Sequence, residues 1–107
     1  MQIDEYTDLT DETAIYPGAG TGNWDELSYL GLGLGEAGEI QGKIKKILRD
    51  GVVDPEAIAK EIGDLFYYLC RTCKAFGYNP SEVLQMNIDK LLDRMDRGVL
   101  QGSGDNR

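Results

Sequence analysis

Two short acidic clusters carry the residues of this chain that are best suited to chemistry. They are Glu36-Ala-Gly-Glu39 and Glu61-Ile-Gly-Asp64, and 21 residues separate one from the other. Residues three positions apart share a face of a helix, so each cluster presents two carboxylates side by side. Because converging carboxylates repel one another, four of them in one place require cations. The pattern predicts one metal site formed by both pairs.

The residues between the two pairs predict a helical hairpin that brings the pairs together. From Glu39 to Leu48 is about 13 Å of helix, and from Pro55 to Glu61 is about 9 Å. In an antiparallel hairpin the two pairs therefore lie within about one helical turn of the same level. Glu36 also falls inside the apolar arc of its helix, where a carboxylate is rare unless it is paired or binds a metal.

The ligand types favour a hard cation, because the chain has no histidine and neither acidic cluster contains a cysteine. Mg²⁺ or Mn²⁺ suits such a site, since these ions keep water ligands and bind substrate phosphates beside a few carboxylates. The alternative is two solvated acidic pairs, with Glu39 forming an ion pair with Lys43 one turn later. Two pairs at matched depth favour the metal site.

Apolar periodicity predicts an all-α domain of four helices, with no strand. The helices are expected over residues 2–15, 24–48, 55–76 and 80–96, as a bundle built around the long antiparallel hairpin. Helix starts are marked by Thr21 or Asn23, by Asp54-Pro55 and by Asn79-Pro80. The 107 residues form one domain with a glycine-rich tail over 97–107, and a core this small predicts an oligomer.

Apolar rows mark the last two helices, and the row on the third helix is expected to be buried. They are Ile58, Ile62, Leu65, Leu69, Thr72 and Phe76 on the third helix, and Leu84, Ile88, Leu91 and Met95 on the fourth.

The charge balance excludes several classes of partner. The formal net charge is −8, from 19 acidic and 11 basic residues, which disfavours binding to nucleic acid or to an anionic membrane. Without the four clustered carboxylates, 15 acids face 11 bases and the net charge is −4, so half of the imbalance lies in the predicted site. No apolar run reaches membrane-spanning length and no signal-peptide core is present, so a cytoplasmic location is expected.

The sequence Cys70-Arg-Thr-Cys73 resembles a redox pair but lies late in a helical pattern with no strand nearby. A thioredoxin-like pair needs a helix N-terminus, and zinc needs further Cys or His ligands. Two reduced thiols in or near the core are expected.

The glycines around Glu36 fit helix packing better than phosphate binding. Residues 33–38 spell G-x-G-x-x-G, but a helical pattern precedes them, and a dinucleotide site requires a strand there. Gly31, Gly35, Gly38 and Gly42 form one stripe. Each interior glycine costs about 0.8–1 kcal/mol relative to alanine, so the stripe predicts close approach of another backbone. The alternative is a stripe that faces solvent.

The last helix carries a polar row of Asn87, Lys90 and Arg94, at steps of three and four. An amide and two cations on one face suit a polyphosphate or the edge of a nucleobase, although a solvated flank has the same pattern. Trp24 is a candidate for stacking on a base or, alternatively, for anchoring a loop.

The sequence resembles the MazG-like, all-α nucleoside triphosphate pyrophosphohydrolases. The resemblance depends on the two acidic motifs with their spacer of 21, within Gly31-Leu-Gly-Leu-Gly-Glu-Ala-Gly-Glu39 and Glu61-Ile-Gly-Asp-Leu65. It extends to residues 13–17 (TAIYP), to residues 87–94 (NIDKLLDR) and to the ending 102–107 (GSGDNR). Nearly the whole chain is covered, although its single-domain length departs from the tandem-domain members, so a role tied to two domains is not expected.

The resemblance implies a homodimer or homotetramer that cleaves an NTP or dNTP to the monophosphate and pyrophosphate with Mg²⁺. By position, Glu36, Glu39, Glu61 and Asp64 would bind the metal, and one glutamate would orient the attacking water. Substrate contacts would come from Asn87, Lys90 and Arg94, with Lys43, Trp24 and Arg107 as further candidates. Two alternatives remain open: hydrolysis of phosphoribosyl-ATP, and a non-catalytic, metal-binding helical module that regulates a partner.

Overall fold

The computed structural model describes all 107 residues and is built from helices without any strand, with 71% of the residues helical. The predicted all-α fold is confirmed. The helices are α1 (Ile3–Leu9), α2 (Trp24–Gly33), α3 (Ala37–Asp50), α4 (Pro55–Ala75) and α5 (Pro80–Asp96), with 3₁₀ turns at Thr10–Thr13 and Leu34–Glu36. None of these helices is both long enough and apolar enough to cross a lipid bilayer.

Side-chain caps fix the helix starts where the sequence predicts them. The Asn23 carboxamide oxygen accepts the backbone N–H of Glu26 at 3.1 Å, and Asp54 accepts that of Ala57 at 3.2 Å. Asn79 and Glu82 form a capping box at the start of α5. Each cap satisfies a backbone donor that has no partner within the helix, which explains why these boundaries are read correctly from the sequence.

Two predicted helices are interrupted. The helix expected over 2–15 is α-helical only to Leu9, and then tightens into a 3₁₀ turn in which the hydroxyls of Thr10 and Thr13 donate to backbone carbonyls one turn earlier. Such bonds compete with α-helical pairing. The helix expected over 24–48 reaches Asp50 but is interrupted by the 3₁₀ turn at 34–36. Gly33 precedes this turn and Gly35 lies within it, and glycines weaken an α-helix.

Helix α4 is the element against which the rest of the chain packs. It contacts α1, α2, α3, α5 and the 34–36 turn. Gly51 closes α3 in the left-handed conformation, at φ 71°, and the loop 51–54 then leads directly into α4. Helices α3 and α4 are thus in contact across a short loop, and their antiparallel arrangement stays a prediction.

The core of the single chain is small. Only nine residues are buried, and Tyr16, Leu30 and Cys70 are the apolar ones among them. The apolar rows of α4 and α5 are largely exposed, with exposed fractions from 37% to 64% at Ile62, Leu69, Phe76, Leu84, Ile88, Leu91 and Met95. The predicted burial of the α4 row is therefore wrong within the single chain at Ile62, Leu69 and Phe76, because no other element of the chain covers these positions.

The glycine stripe also meets nothing within the chain. A Cβ atom added at Gly31, Gly35, Gly38 or Gly42 would have no neighbour within 4 Å. The close approach occurs at Gly33, where an added Cβ would lie 2.2 Å from a ring carbon of Tyr68. The periodicity therefore identified the wrong glycines for packing inside the chain, because close approach depends on which helix lies opposite and not on spacing alone.

Candidate metal and active site

Three of the four predicted carboxylates converge. Glu36, Glu61 and Asp64 each offer an oxygen within 4.8 Å of the other two. Glu36 belongs to the 34–36 turn, and Glu61 and Asp64 lie one turn apart on α4. Glu36 and Glu61 are half-buried, whereas Asp64 is exposed. We call these three residues the carboxylate cluster.

An aromatic row holds the 34–36 turn close to α4. Tyr68, one turn beyond Asp64, packs its ring directly on Gly33. The ring of Tyr29 lies 6.3 Å from that of Tyr68, and Tyr16 stacks on Tyr29 at 4.7 Å between ring centroids. Because Gly33 has no side chain, the end of α2 approaches α4 closely enough for Glu36 to reach Glu61 and Asp64.

No cation of the chain compensates the carboxylate cluster. None of the nine ion pairs within 4.0 Å involves Glu36, Glu39, Glu61 or Asp64. Partial burial, followed by the charges of Glu61, Glu39 and Asp64, raises the pKa of Glu36. The folded chain thus holds negative charges together against their repulsion, which a bound cation would relieve.

The donor set fits a hard divalent cation. One oxygen of each of the three carboxylates lies within 4.8 Å of the other two. Carboxylate oxygens are the ligands that Mg²⁺ takes from proteins. Three carboxylates leave coordination positions for water and for substrate phosphate.

Glu39 lies outside the carboxylate cluster. Its side chain is exposed, although its charge contributes to the raised pKa of Glu36. Lys43 is half-buried beside the loop between α3 and α4 and forms no ion pair within 4.0 Å, so the ion pair considered between Glu39 and Lys43 is not present. Lys43 lines a surface depression with Lys46, Val52 and Ile58, next to the loop between α3 and α4.

The predicted polar row of α5 is engaged elsewhere. Lys90 and Arg94 bind Asp105 of the tail, each at 3.3 Å from its carboxylate, while Asn87 is exposed. No ion pair links Lys90 or Arg94 to the carboxylate cluster. Arg107, another predicted substrate contact, donates to the backbone carbonyls of Val99, Leu100 and Gly104.

Trp24 is 78% exposed and lies on a shallow apolar groove with Leu27, Leu32 and Phe76. The alternative that it anchors a loop is therefore wrong within the single chain.

A second charged cluster was not found from the sequence. Glu26 is only 2% exposed and accepts hydrogen bonds from the Tyr16 hydroxyl at 2.7 Å and from the N–H groups of Gly20 and Gly22 at 2.8 and 2.9 Å. Arg71, also buried, donates to the Tyr16 hydroxyl at 3.2 Å and pairs with Asp11. We call these residues the buried ionic cluster. Glu26 occupies the first turn of α2, where an acidic residue is ordinary, so no sequence signal marks its burial.

The pKa values of the buried ionic cluster show that its charges are satisfied. Burial alone would raise the pKa of Glu26, but hydrogen bonds from Tyr16, Gly20 and Gly22 and the charge of Arg71 outweigh burial and lower it. Burial and the bond to Glu26 raise the pKa of Tyr16 to about 12. The cluster borders a cavity of about 490 Å³, and its role is to fasten residues 16–22 to α2 and α4.

The two cysteines are free, as predicted. Cys70 is buried and Cys73 is half-buried. Burial raises the pKa of both thiols, which lowers the thiolate population that redox chemistry requires.

Comparison with known proteins assigns the family. The family described as the MazG nucleotide pyrophosphohydrolase domain matches residues 25–99, a range that includes both acidic motifs and the polar row of α5. The Gene 37 protein of Mycobacterium phage L5 is 48% identical over 114 aligned positions, which cover all of this chain and all of the relative. No solved structure matches the chain. The match over most of its length shows that the chain belongs to the MazG nucleotide pyrophosphohydrolase family.

Proposed function

We propose that the protein is a Mg²⁺-dependent nucleoside triphosphate pyrophosphohydrolase that converts an NTP or dNTP to the monophosphate and pyrophosphate, for house-cleaning or control of the nucleotide pool. Membership of the family supports the reaction class. The observation that carries the proposal is the convergence of Glu36, Glu61 and Asp64 without a compensating cation. A structural role would be better served by apolar or paired residues.

The chemistry divides between the metal and the chain. Glu36, Glu61 and Asp64 would hold the cation, with Glu39 as an additional ligand or as a group that positions water. A divalent cation bound there neutralises phosphate charge and lowers the pKa of coordinated water. A glutamate of the cluster orients the attacking water and accepts its proton. Water adds to phosphorus, the anhydride bond breaks, and pyrophosphate leaves with the bond electrons.

Substrate recognition is proposed for the cationic and amide groups of α5. Lys90 and Arg94 offer positive charge in a chain that is acidic overall, and Asn87 is exposed beside them on the same helix face. Trp24 is exposed enough to stack on a base. Lys43 and Arg107 remain predicted substrate contacts. Trp24 is the better candidate in the single chain, because Lys43 lies beside the loop between α3 and α4 and Arg107 is bonded to carbonyls of the tail.

Pyrophosphate release from a panel of nucleotides tests the proposed activity. The panel includes canonical and modified NTPs and dNTPs together with phosphoribosyl-ATP, each with Mg²⁺ and with EDTA. We expect release with Mg²⁺ from the wild-type protein and none from Glu36→Gln or Asp64→Asn. Glu56→Gln is the matched control, because Glu56 is an exposed carboxylate of α4 whose only ion pair is with Lys60. Stabilisation by Mg²⁺ with no turnover of any nucleotide would instead support the regulatory module.

We further propose that the protein is a homodimer or homotetramer. Ile62, Phe66 and Leu69 on α4 and the apolar row of α5 are exposed in the single chain, and patches of this kind mark protein contacts. A core of three buried apolar residues is too small to stabilise 107 residues alone. Analytical ultracentrifugation should show a dimer or tetramer that Phe66→Glu dissociates; a folded, active monomer would contradict the proposal.

A further inference from the structure

The tail folds back onto α5 through a set of arginine contacts. The Nη2 atom of Arg94 donates to the carbonyl of Asp105 at 2.7 Å and to its carboxylate at 3.3 Å. Lys90 binds the same carboxylate at 3.3 Å. Arg97 donates to the carbonyl of Arg107 at 2.6 Å, and Arg107 returns bonds to earlier tail carbonyls. The tail therefore delivers a carboxylate to the pair of cations that α5 presents.

Arg94 is covered by this arrangement. Its side chain is only 5% exposed, so a soluble anion reaches the guanidinium only after the tail moves. Its Nε is buried and has no hydrogen-bond partner, while the adjacent Nη2 is shared among the oxygens of Gly104 and Asp105. Nε and Nη2 form the edge of the guanidinium that binds two oxygens of one phosphate or carboxylate group. The tail uses only half of that edge.

The tail is held in a way that permits displacement. Asp105 is 85% exposed, and its ion pairs with Lys90 and Arg94 are both 3.3 Å long, although Arg94 itself is only 5% exposed. Water reaches the carboxylate side of both pairs, and this solvation weakens them. Gly98, Gly102 and Gly104 have positive φ angles, and Gly102 lies at φ 137°, a conformation that few other residues adopt. These glycines let the tail change direction at low cost.

We propose that the tail, residues 98–107, is an intramolecular competitor for the anionic group of the substrate. The carboxylate of Asp105 occupies the place between Lys90 and Arg94 that a phosphate group of the nucleotide takes when the tail is displaced. A phosphate satisfies both Nε and Nη2 of Arg94 and carries more charge than one carboxylate, so it displaces Asp105 once it binds. The affinity for substrate is then reduced by the fraction of molecules whose tail is closed.

The competitor role rests on the proposed function only in the identity of the anion. The proposal predicts that Asp105 weakens the binding of a phosphate anion. This effect is measurable without metal and without turnover. Failure of the nucleotide panel and failure of the tail proposal are therefore separate results.

Inorganic pyrophosphate, titrated calorimetrically into the full-length protein in EDTA, tests the proposal. We expect Asp105→Asn to bind pyrophosphate roughly twofold to fivefold more tightly than the wild type, the range for removal of ion pairs whose carboxylate is open to solvent. A chain that ends at Gln101 should bind at least as tightly as Asp105→Asn. Adding Arg94→Gln to Asp105→Asn should abolish the gain.

Asp89→Asn is the matched control, because Asp89 is an exposed carboxylate of the same helix that accepts a hydrogen bond from Gln85, and its removal changes the net charge equally. An equal gain in affinity in Asp89→Asn and Asp105→Asn would show that net charge alone causes the effect, and would overturn the proposal. Unchanged affinity in Asp105→Asn would also overturn it. Weaker binding in Asp105→Asn or in the shortened chain would overturn it in favour of a tail that forms part of the anion site.

Discussion

Glu26 and Glu36 lie ten residues apart in the sequence and occupy opposite electrostatic environments. Glu26 is buried more deeply, yet three hydrogen bonds and the nearby Arg71 lower its pKa. Glu36 is only half-buried, yet burial and three neighbouring carboxylates raise its pKa. The depth of a carboxylate therefore says little about its role, whereas the presence or absence of partners separates a structural acid from one that needs a ligand from outside.

The same comparison explains the different partners of the two groups. The buried ionic cluster takes its donors from the chain itself, namely a tyrosine, an arginine and two backbone N–H groups of a glycine-rich loop. The carboxylate cluster has no donor of its own within ion-pair distance. The N–H groups of Gly20 and Gly22 in this loop are thus occupied by Glu26.

The largest expected effect is on activity, which should depend on the carboxylate cluster and not on the buried ionic cluster. Glu36→Gln or Glu61→Gln should lower the rate of pyrophosphate release by more than about 100-fold, because each removes a proposed ligand of the metal. Glu26→Gln should retain most of the activity of its folded fraction. Initial rates at saturating Mg²⁺, corrected for the folded fraction by circular dichroism, provide the measurement. Equal losses of activity in all three variants would contradict the proposed difference between the carboxylate cluster and the buried ionic cluster.

Stability should depend more on Glu26 than on Glu36 or Glu61, which is the reverse of the order expected for activity. Glu26→Gln places an amide NH₂ group against the N–H groups of Gly20 or Gly22, and an unsatisfied buried donor costs about 1–3 kcal/mol. Urea unfolding should show this loss, while Asp25→Asn, at an exposed neighbouring position, should unfold like the wild type. A Glu26→Gln protein of unchanged stability would show that the cluster does not hold the loop.

The contact between Gly33 and Tyr68 links the two regions, and a pair of glycine substitutions tests it. Gly33→Ala forces a methyl group into the Tyr68 ring, and overpacking costs about 1–3 kcal/mol. The shift should also move Glu36 away from α4 and weaken Mg²⁺ binding. Gly31→Ala is the control, because an added Cβ there meets nothing within the chain. Thermal unfolding and Mg²⁺ titration of both variants give the comparison, and similar behaviour would contradict the positioning role of Gly33.

The smallest effect is a difference in the sign of pH dependence. The raised pKa of Glu36 means that the folded state binds its proton more tightly than the unfolded state, so its contribution favours folding at low pH and is lost as the pH rises through the folded pKa. The lowered pKa of Glu26 has the opposite effect: its contribution is present above the ordinary value of 4.5 and is lost as the pH falls through the folded pKa.

Melting temperatures from about pH 3 to about pH 7 in EDTA should therefore respond differently to the two substitutions. Glu36→Gln should remove part of the fall in stability with rising pH, and Glu26→Gln should remove part of the fall with decreasing pH. A change of the pH profile of melting temperature in the same direction in both variants would contradict the difference in electrostatic environment between the two carboxylates.

What the sequence predicts well is what local spacing determines. The helix starts at Asn23, Asp54 and Asn79 depend on residues within one turn. Two short motifs and the loop between α3 and α4 bring together three of the four predicted carboxylates, whereas Glu39 lies outside the cluster. The family resemblance drawn from those motifs is confirmed.

What the sequence does not predict depends on contacts across the fold. Glu26 and Arg71 are 45 positions apart, and neither carries a local sign of burial. The apolar rows of α4 and α5 are visible in the sequence, but spacing does not say whether the same chain or another copy covers them. The stripe of four glycines has the periodicity of a packing face, whereas Gly33 is the glycine that a neighbouring helix approaches.

The most direct test of the contrast is thermal unfolding of the wild type and Glu61→Gln, each in EDTA and in excess MgCl₂. Removal of one repelling charge should raise the melting temperature of Glu61→Gln above that of the wild type in EDTA. Mg²⁺ should stabilise the wild type but change Glu61→Gln little, because a ligand that binds only the folded state raises its stability. A variant that melts lower than the wild type in EDTA and keeps the full response to Mg²⁺ would contradict a metal site at the carboxylate cluster.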